Sequence, residues 1–186
     1  MSPPSILVAG IGNIFLGDDA FGVEVVNRLA RGALPEGVRV VDFGIRGLDL
    51  TYALLDGYDA VILVDAVPRG GRPGTLYLIE PKVRRPPEAE GAGLLVEGHD
   101  MDPVKVLRLA ASMGGRVDRL LLVGCEPEPV DDPEDMRDGL SEPVRAAVDE
   151  AVVLVAALVA RLLRGEIIEA NVDLITPLKE AGPCRD

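Results

Sequence analysis

Cysteine and histidine are nearly absent from this chain: there are two cysteines, Cys125 and Cys184, and a single histidine, His99. Two thiols so far apart make neither a disulfide framework nor a metal knuckle. Basic residues are outnumbered, with 19 Lys and Arg against 31 Asp and Glu, for a net charge of −12. That balance disfavours nucleic acid and anionic membrane surfaces as partners. Long apolar runs are missing too. The longest, residues 151–160, falls well short of the roughly 20 residues that a membrane span requires. The opening MSPPS has neither the basic patch nor the apolar core of a signal peptide. What is present suits a well-filled core: 48% hydrophobic residues over 186 positions, a length at which one domain buries roughly 70% of its unfolded surface. The expectation is a soluble, cytoplasmic protein with one domain over residues 1–165 and a C-terminal tail over 166–186.

The most informative stretch lies near the start. Ile6-Leu7-Val8-Ala9 reads as a short buried strand. It breaks at Gly10-Ile11-Gly12-Asn13, where backbone angles closed to other residues become available. After Gly17 come Asp18 and Asp19, and then helical spacing with Phe21, Val25 and Leu29 on one face. A strand thus delivers a loop, and the loop delivers two carboxylates to a helix N-terminus, the place where open α/β sheets bind ligands. A dinucleotide fingerprint would put its third glycine where Phe15 stands. A phosphate loop would need a lysine that the segment lacks, and the paired acids would repel a phosphate. A cation is the better guest.

Further along, 38–42 reads as a second strand and 60–67 as a third, apolar enough to be buried on both faces, with Asp65 near its carboxyl end. Residues 74–80 read as a fourth strand. Only a short Pro- and Gly-rich loop precedes it, too short for a helical crossover, so it should run antiparallel. Residues 81–98 read as a long surface loop ending at His99, followed by a helix over 103–113. A last strand spans 119–125, an acidic loop 126–137, and a long helix about 141–164, stopped by Gly165.

First and third strands are commonly neighbours in doubly wound sheets, which would bring Asp19 and Asp65 together, with His99 approaching from the loop above. One imidazole and two carboxylates suit a borderline divalent ion such as Ni²⁺ or Zn²⁺ and leave a coordination position open. Plainer readings stand beside this one. Asp18 reads as a helix cap and Asp19 as a complement to the helix dipole. A lone histidine is more often a core or surface residue, and 126–135 is most simply a solvated loop. Asp65 is harder to dismiss, because a carboxylate beside a buried strand is costly without a partner. The cysteines read as packing and tail.

The residues resemble those of the hydrogenase maturation proteases, which trim the large subunit of nickel–iron hydrogenases. Gly10-Ile11-Gly12-Asn13 with Gly17-Asp18-Asp19 and Gly22 is similar to the family's first loop, and Asp42 with Gly44 and Gly47 to its second glycine-rich turn. Asp65 within Leu63-Val64-Asp65-Ala66, His99, Gly124-Cys125-Glu126-Pro127 and Leu140-Ser141 resemble later blocks. Phe43 departs from the pattern where a glycine is frequent, and Ala20-Phe21 replaces a frequent Gly-containing pair. The resemblance implies an α/β, three-layer α/β/α fold of phosphorylase/hydrolase-like type, with a mixed five-stranded sheet in order 2-1-3-5-4 whose fourth strand is antiparallel. It implies an endopeptidase that removes the C-terminal extension of the large-subunit precursor, with the nickel arriving on that precursor and other divalent ions able to occupy the site. Asp19, Asp65 and His99 carry over as the metal-contacting, catalytic residues, with Asp18, Asp42, Gly44 and Glu126 as possible supports. Two rivals remain: a non-catalytic nickel checkpoint or metallochaperone that binds the precursor without cutting it, and a nucleotide-binding α/β domain.

Overall fold

The computed structural model describes residues 3–81, 103–130 and 137–168. Among them, five strands form one sheet in the order β2-β1-β3-β5-β4. The strands are β1 (Ile6–Ile11), β2 (Val38–Gly44), β3 (Tyr58–Ala66), β4 (Leu76–Ile79) and β5 (Val117–Cys125). The helices are α1 (Phe21–Leu29), α2 (Gly47–Leu55), α3 (Pro103–Ser112) and α4 (Glu142–Leu163). Strands β2, β1, β3 and β5 run parallel, while β4 pairs antiparallel with β5. The expected order and the reversed fourth strand are both observed. β4 is shorter than its apolar pattern indicated, because a turn immediately precedes it, with Thr75 donating its N–H back to the Arg72 carbonyl at 3.0 Å.

Every residue of β1 is buried, as a parallel strand covered on both faces must be. Alternation along the strand divides its side chains between two cores. Ile6 and Val8 join Ile62, Val64 and Val123 beneath Phe21 and Val25 of α1 and Val148, Ala151 and Val155 of α4. Leu7, Ala9 and Ile11 join Leu63 beneath Leu50 and Leu54 of α2 and Val106, Leu107 and Ala110 of α3. Phe43 is buried in this second core. The departure noted at that position therefore fills the interior and leaves the cleft untouched. Leu29, the third residue of the expected α1 face, packs at the margin of the first core.

Two boundaries differ from expectation. The first helix is preceded by a separate 3-10 turn, Gly17–Ala20, which carries both aspartates. At the other end the core does not stop at Gly165. Ile168 is 1% exposed and belongs to the first core, and its carbonyl accepts from the Arg119 guanidinium. The remainder of the tail, and the 82–102 segment containing His99, lie outside the described residues.

The approach of α1 to the sheet depends on Gly22. A β-carbon there would lie 2.0 Å from the Val64 carbonyl oxygen and 2.4 Å from that of Ile11, both backbone atoms that cannot step aside. Gly22→Ala is expected to cost about 3 kcal/mol or more in urea denaturation. Gly57→Ala, with φ +76° but nothing within 4 Å, should cost only the left-handed penalty of about 1–2 kcal/mol.

Candidate active site at the carboxyl edge of the sheet

The site is assembled where β1 and β3 end. At Gly12 the φ is +129°, and a β-carbon would sit 1.7 Å from the Asp19 carbonyl oxygen. Only glycine allows the loop to fold this tightly over the 3-10 turn. Asn13 then closes the loop in two ways. Its side-chain oxygen accepts the Phe15 N–H at 3.0 Å, an Asx turn. Its own N–H donates to Asp19 Oδ2 at 2.6 Å. The Asp19 carboxylate is therefore fixed by the loop that delivers it. Asp65, the penultimate residue of β3, accepts the following N–H of Ala66 at 2.9 Å.

Asp65 and Asp19 both line a cleft of about 740 Å³. Burial pushes the Asp65 carboxyl up from 3.8 to about 7, the Asp19 charge pushes in the same direction, and the Ala66 N–H opposes them only in part. Two carboxylates share a poorly hydrated corner with one amide each, an arrangement relieved by a proton or a cation. The chemistry of this donor pair fits a hard or borderline divalent ion. Among the described residues no third His, Cys, Asp or Glu joins the two to complete a metal set, and His99 lies outside those residues.

Asp18 behaves differently from the helix cap expected of it. Asp18 caps neither its own turn nor α1. Its carboxylate instead accepts from Ser141 N–H at 2.7 Å, Ser141 Oγ at 2.8 Å and Glu128 N–H at 2.8 Å, partners that sequence proximity could not reveal. Ser141 is correspondingly an N-cap residue without a capping bond to its own helix. Asp42 pairs with Gly10 inside the sheet and its carbonyl accepts from the Arg46 guanidinium; it is not among the residues lining the cleft. Gly44 acts through its backbone, at φ +54°, its carbonyl accepting the Gly12 N–H at 3.1 Å.

Glu126 corrects the reading of its segment as solvated. It is 4% exposed and accepts from Arg69 N–H at 2.9 Å, Gly70 N–H at 3.0 Å and Tyr77 Oη at 2.6 Å. Burial alone would raise its pKa, but the Tyr77 hydroxyl and the amides of Arg69, Gly71 and Gly70 outweigh burial and hold it below the usual carboxylate value. It braces the β3–β4 connection, whose Pro68 forms part of the cleft wall. The sulfur of Cys125 is fully buried, and burial, then Asp18 and Glu126, push its thiol up to about 12. Such a thiol is inert, as the packing role expected of it requires.

A mixed α/β sheet of this order is what the comparisons with known proteins also find. The hydrogenase maturation protease profile matches residues 23–158. The hydrogenase expression/formation protein HoxM of Azotobacter vinelandii is 37% identical over 173 residues, covering 92% of this chain and 79% of HoxM. Among solved structures, the hydrogenase maturating endopeptidase HybD of E. coli superposes with a TM-score of 0.64 at 27% identity, covering 85% of this chain and 93% of that one. A hydrogenase 2 maturation peptidase from a Thaumarchaeota archaeon gives 0.62 at 33% identity, covering 84% and 98%. The chain belongs to the hydrogenase maturation protease family. No described helix is long and apolar enough to cross a membrane.

The Asp65 shift has a measurable sign. The folded protein holds this proton more tightly than the unfolded chain, so between 3.8 and about 7 it binds more protons and loses stability as pH rises. Asp65→Asn removes the conflict. It should stabilise the free protein at pH 8 by up to about 3 kcal/mol and leave stability near pH 4 almost unchanged, as read from urea denaturation across that range.

Proposed function

We propose that this protein is an endopeptidase that removes the C-terminal extension of a nickel–iron hydrogenase large-subunit precursor in the cytoplasm, using nickel carried by the precursor as its recognition signal. The observation that supports this reading is the Asp19–Asp65 pair, two carboxylates held together at the cleft wall with more negative charge than their surroundings neutralise. A cation arriving with the client meets that demand. Asp19, Asp65 and His99 would hold the ion, and other divalent ions could occupy the same place. Bound there, the ion supplies Lewis acidity toward a carbonyl or water. The chain itself fixes one carboxylate through Asn13 and holds the other at the end of a rigid strand. Covalent catalysis by Cys125 has no support, since its thiol is buried and its pKa raised. Neither Asp18, with its three hydrogen bonds, nor Asp42, outside the cleft lining, is free to serve as a base.

Phe15 and Ile14 stand 62% and 55% exposed beside cleft residues Asn13 and Leu16, and Ile45, itself lining the cleft, is 46% exposed. Apolar side chains held outward at a cleft rim are suited to grip a protein client.

The test is incubation with nickel-loaded and nickel-free precursor, followed by mass spectrometry. Loss of a C-terminal peptide from the loaded form alone is the expected result. Stable complex formation with no peptide lost would favour the checkpoint reading instead. Asp19→Asn, Asp65→Asn and His99→Ala should each lower processing about a hundredfold or more with circular dichroism unchanged; wild-type rates in all three would remove the site.

A further inference from the structure

The segment between β5 and α4 leaves the sheet edge at Glu126 and returns to it at Ser141. Both of its ends line the cleft, through Pro127, Glu128, Pro129 and Val130 on one side and Gly139 to Ser141 on the other. Both ends are also fastened to one carboxylate: Asp18 Oδ2 accepts from Glu128 N–H and Ser141 Oγ, each at 2.8 Å, and Oδ1 accepts from Ser141 N–H at 2.7 Å. A second tie runs beside it, with Gly17 N–H donating to the Arg137 carbonyl at 3.1 Å and Arg137 N–H to the Phe15 carbonyl at 3.0 Å. Asp19, by contrast, is held by Asn13 N–H and Asp65 by Ala66 N–H. The anchoring of the cleft wall and the anchoring of the paired carboxylates thus use different bonds on adjacent residues.

We propose that Asp18 is a positioning residue that holds the two ends of the 126–141 segment at the spacing the client peptide needs, and so sets affinity for the precursor without taking part in the chemistry. A carboxylate suits the task because it offers two acceptor oxygens and no donor. An asparagine would retain one acceptor and present an N–H₂ group to donors that already point inward. With the clamp gone, the wall samples wider arrangements, and apparent affinity falls by the fraction of time it is misplaced. The rate once bound changes little, because Asp19 and Asp65 keep their own ties.

The processing readout rests on the function proposed above; hydrogen exchange on the free protein does not. In Asp18→Ala the amides of Glu128 and Ser141 should exchange at least about tenfold faster, while Asn13 keeps its protection. Unchanged protection at both amides overturns the clamp whatever the activity shows. In processing assays well below the melting temperature, Asp18→Asn and Asp18→Ala should raise KM about tenfold and leave kcat within about twofold. Ser141→Ala should give a smaller KM effect that is not additive with Asp18→Ala, and Ser141→Thr, which keeps the hydroxyl, should restore it. A fall in kcat with unchanged KM overturns the proposal by placing Asp18 in the chemistry. A lowered melting temperature with wild-type KM and kcat overturns it by leaving only a structural staple. If wild-type protein cleaves no precursor, the functional reading fails and the exchange data still decide the clamp.

Discussion

At Gly12 and Gly22 the backbone of one segment occupies the space where the side chain of another would begin. The β1 strand, the 3-10 turn and the start of α1 pass so close that carbonyl oxygens of Asp19, Ile11 and Val64 stand where β-carbons would be. This approach seats α1 directly over the junction of β1 and β3, and so carries Asp19 to the end of the strand that bears Asp65. A wider separation would keep the sheet but open the first core beneath Phe21 and Val25 and pull the carboxylates apart. The pairing of charges is therefore set by steric exclusion at glycines, and the electrostatics follow from it.

Three acidic side chains near this edge show how differently one chain can treat the same group. Glu126 is buried yet held ionised by amides and a phenol. Asp18 is satisfied by two amides and a hydroxyl. Asp65 receives one amide and a like charge. The first two hold up the walls of the cleft, at Pro68 and at 127–130 and 137–141. The third is left in conflict where the walls meet. A fully hydrogen-bonded carboxylate has little left to offer a ligand, while a crowded one gains from any cation. This contrast, more than the count of acids, separates scaffold from site.

The strands were legible in the sequence because their burial on both faces leaves long apolar runs, and Asp65 stood out as the charge that interrupts one of them. The reversed β4 followed from a connection too short to cross over. The order of the sheet came from the family resemblance, since apolar runs carry no record of which strand lies beside which. What stayed hidden was long-range. The partners of Asp18 lie 110 and 123 residues away, so its position before a helix pointed to capping. Glu126 opens a stretch of acids and prolines that reads as solvent-facing, and only the returning Arg69–Gly71 turn makes it an interior group. Ile168 follows a helix-stopping glycine, and a single apolar residue in a tail gives no periodic signal.

The raised Asp65 carboxyl has a further consequence for traffic through the cleft. On the function proposed above, its proton and an incoming cation would contend for the same oxygens near neutrality, so the hydronium ion would compete reversibly with a nickel-bearing client. Mild acidification would then weaken docking while leaving the Glu126 carboxylate, held below the usual range, in place. On the same reading, engagement of the precursor would release protons to the medium, and docking would follow the ambient acidity.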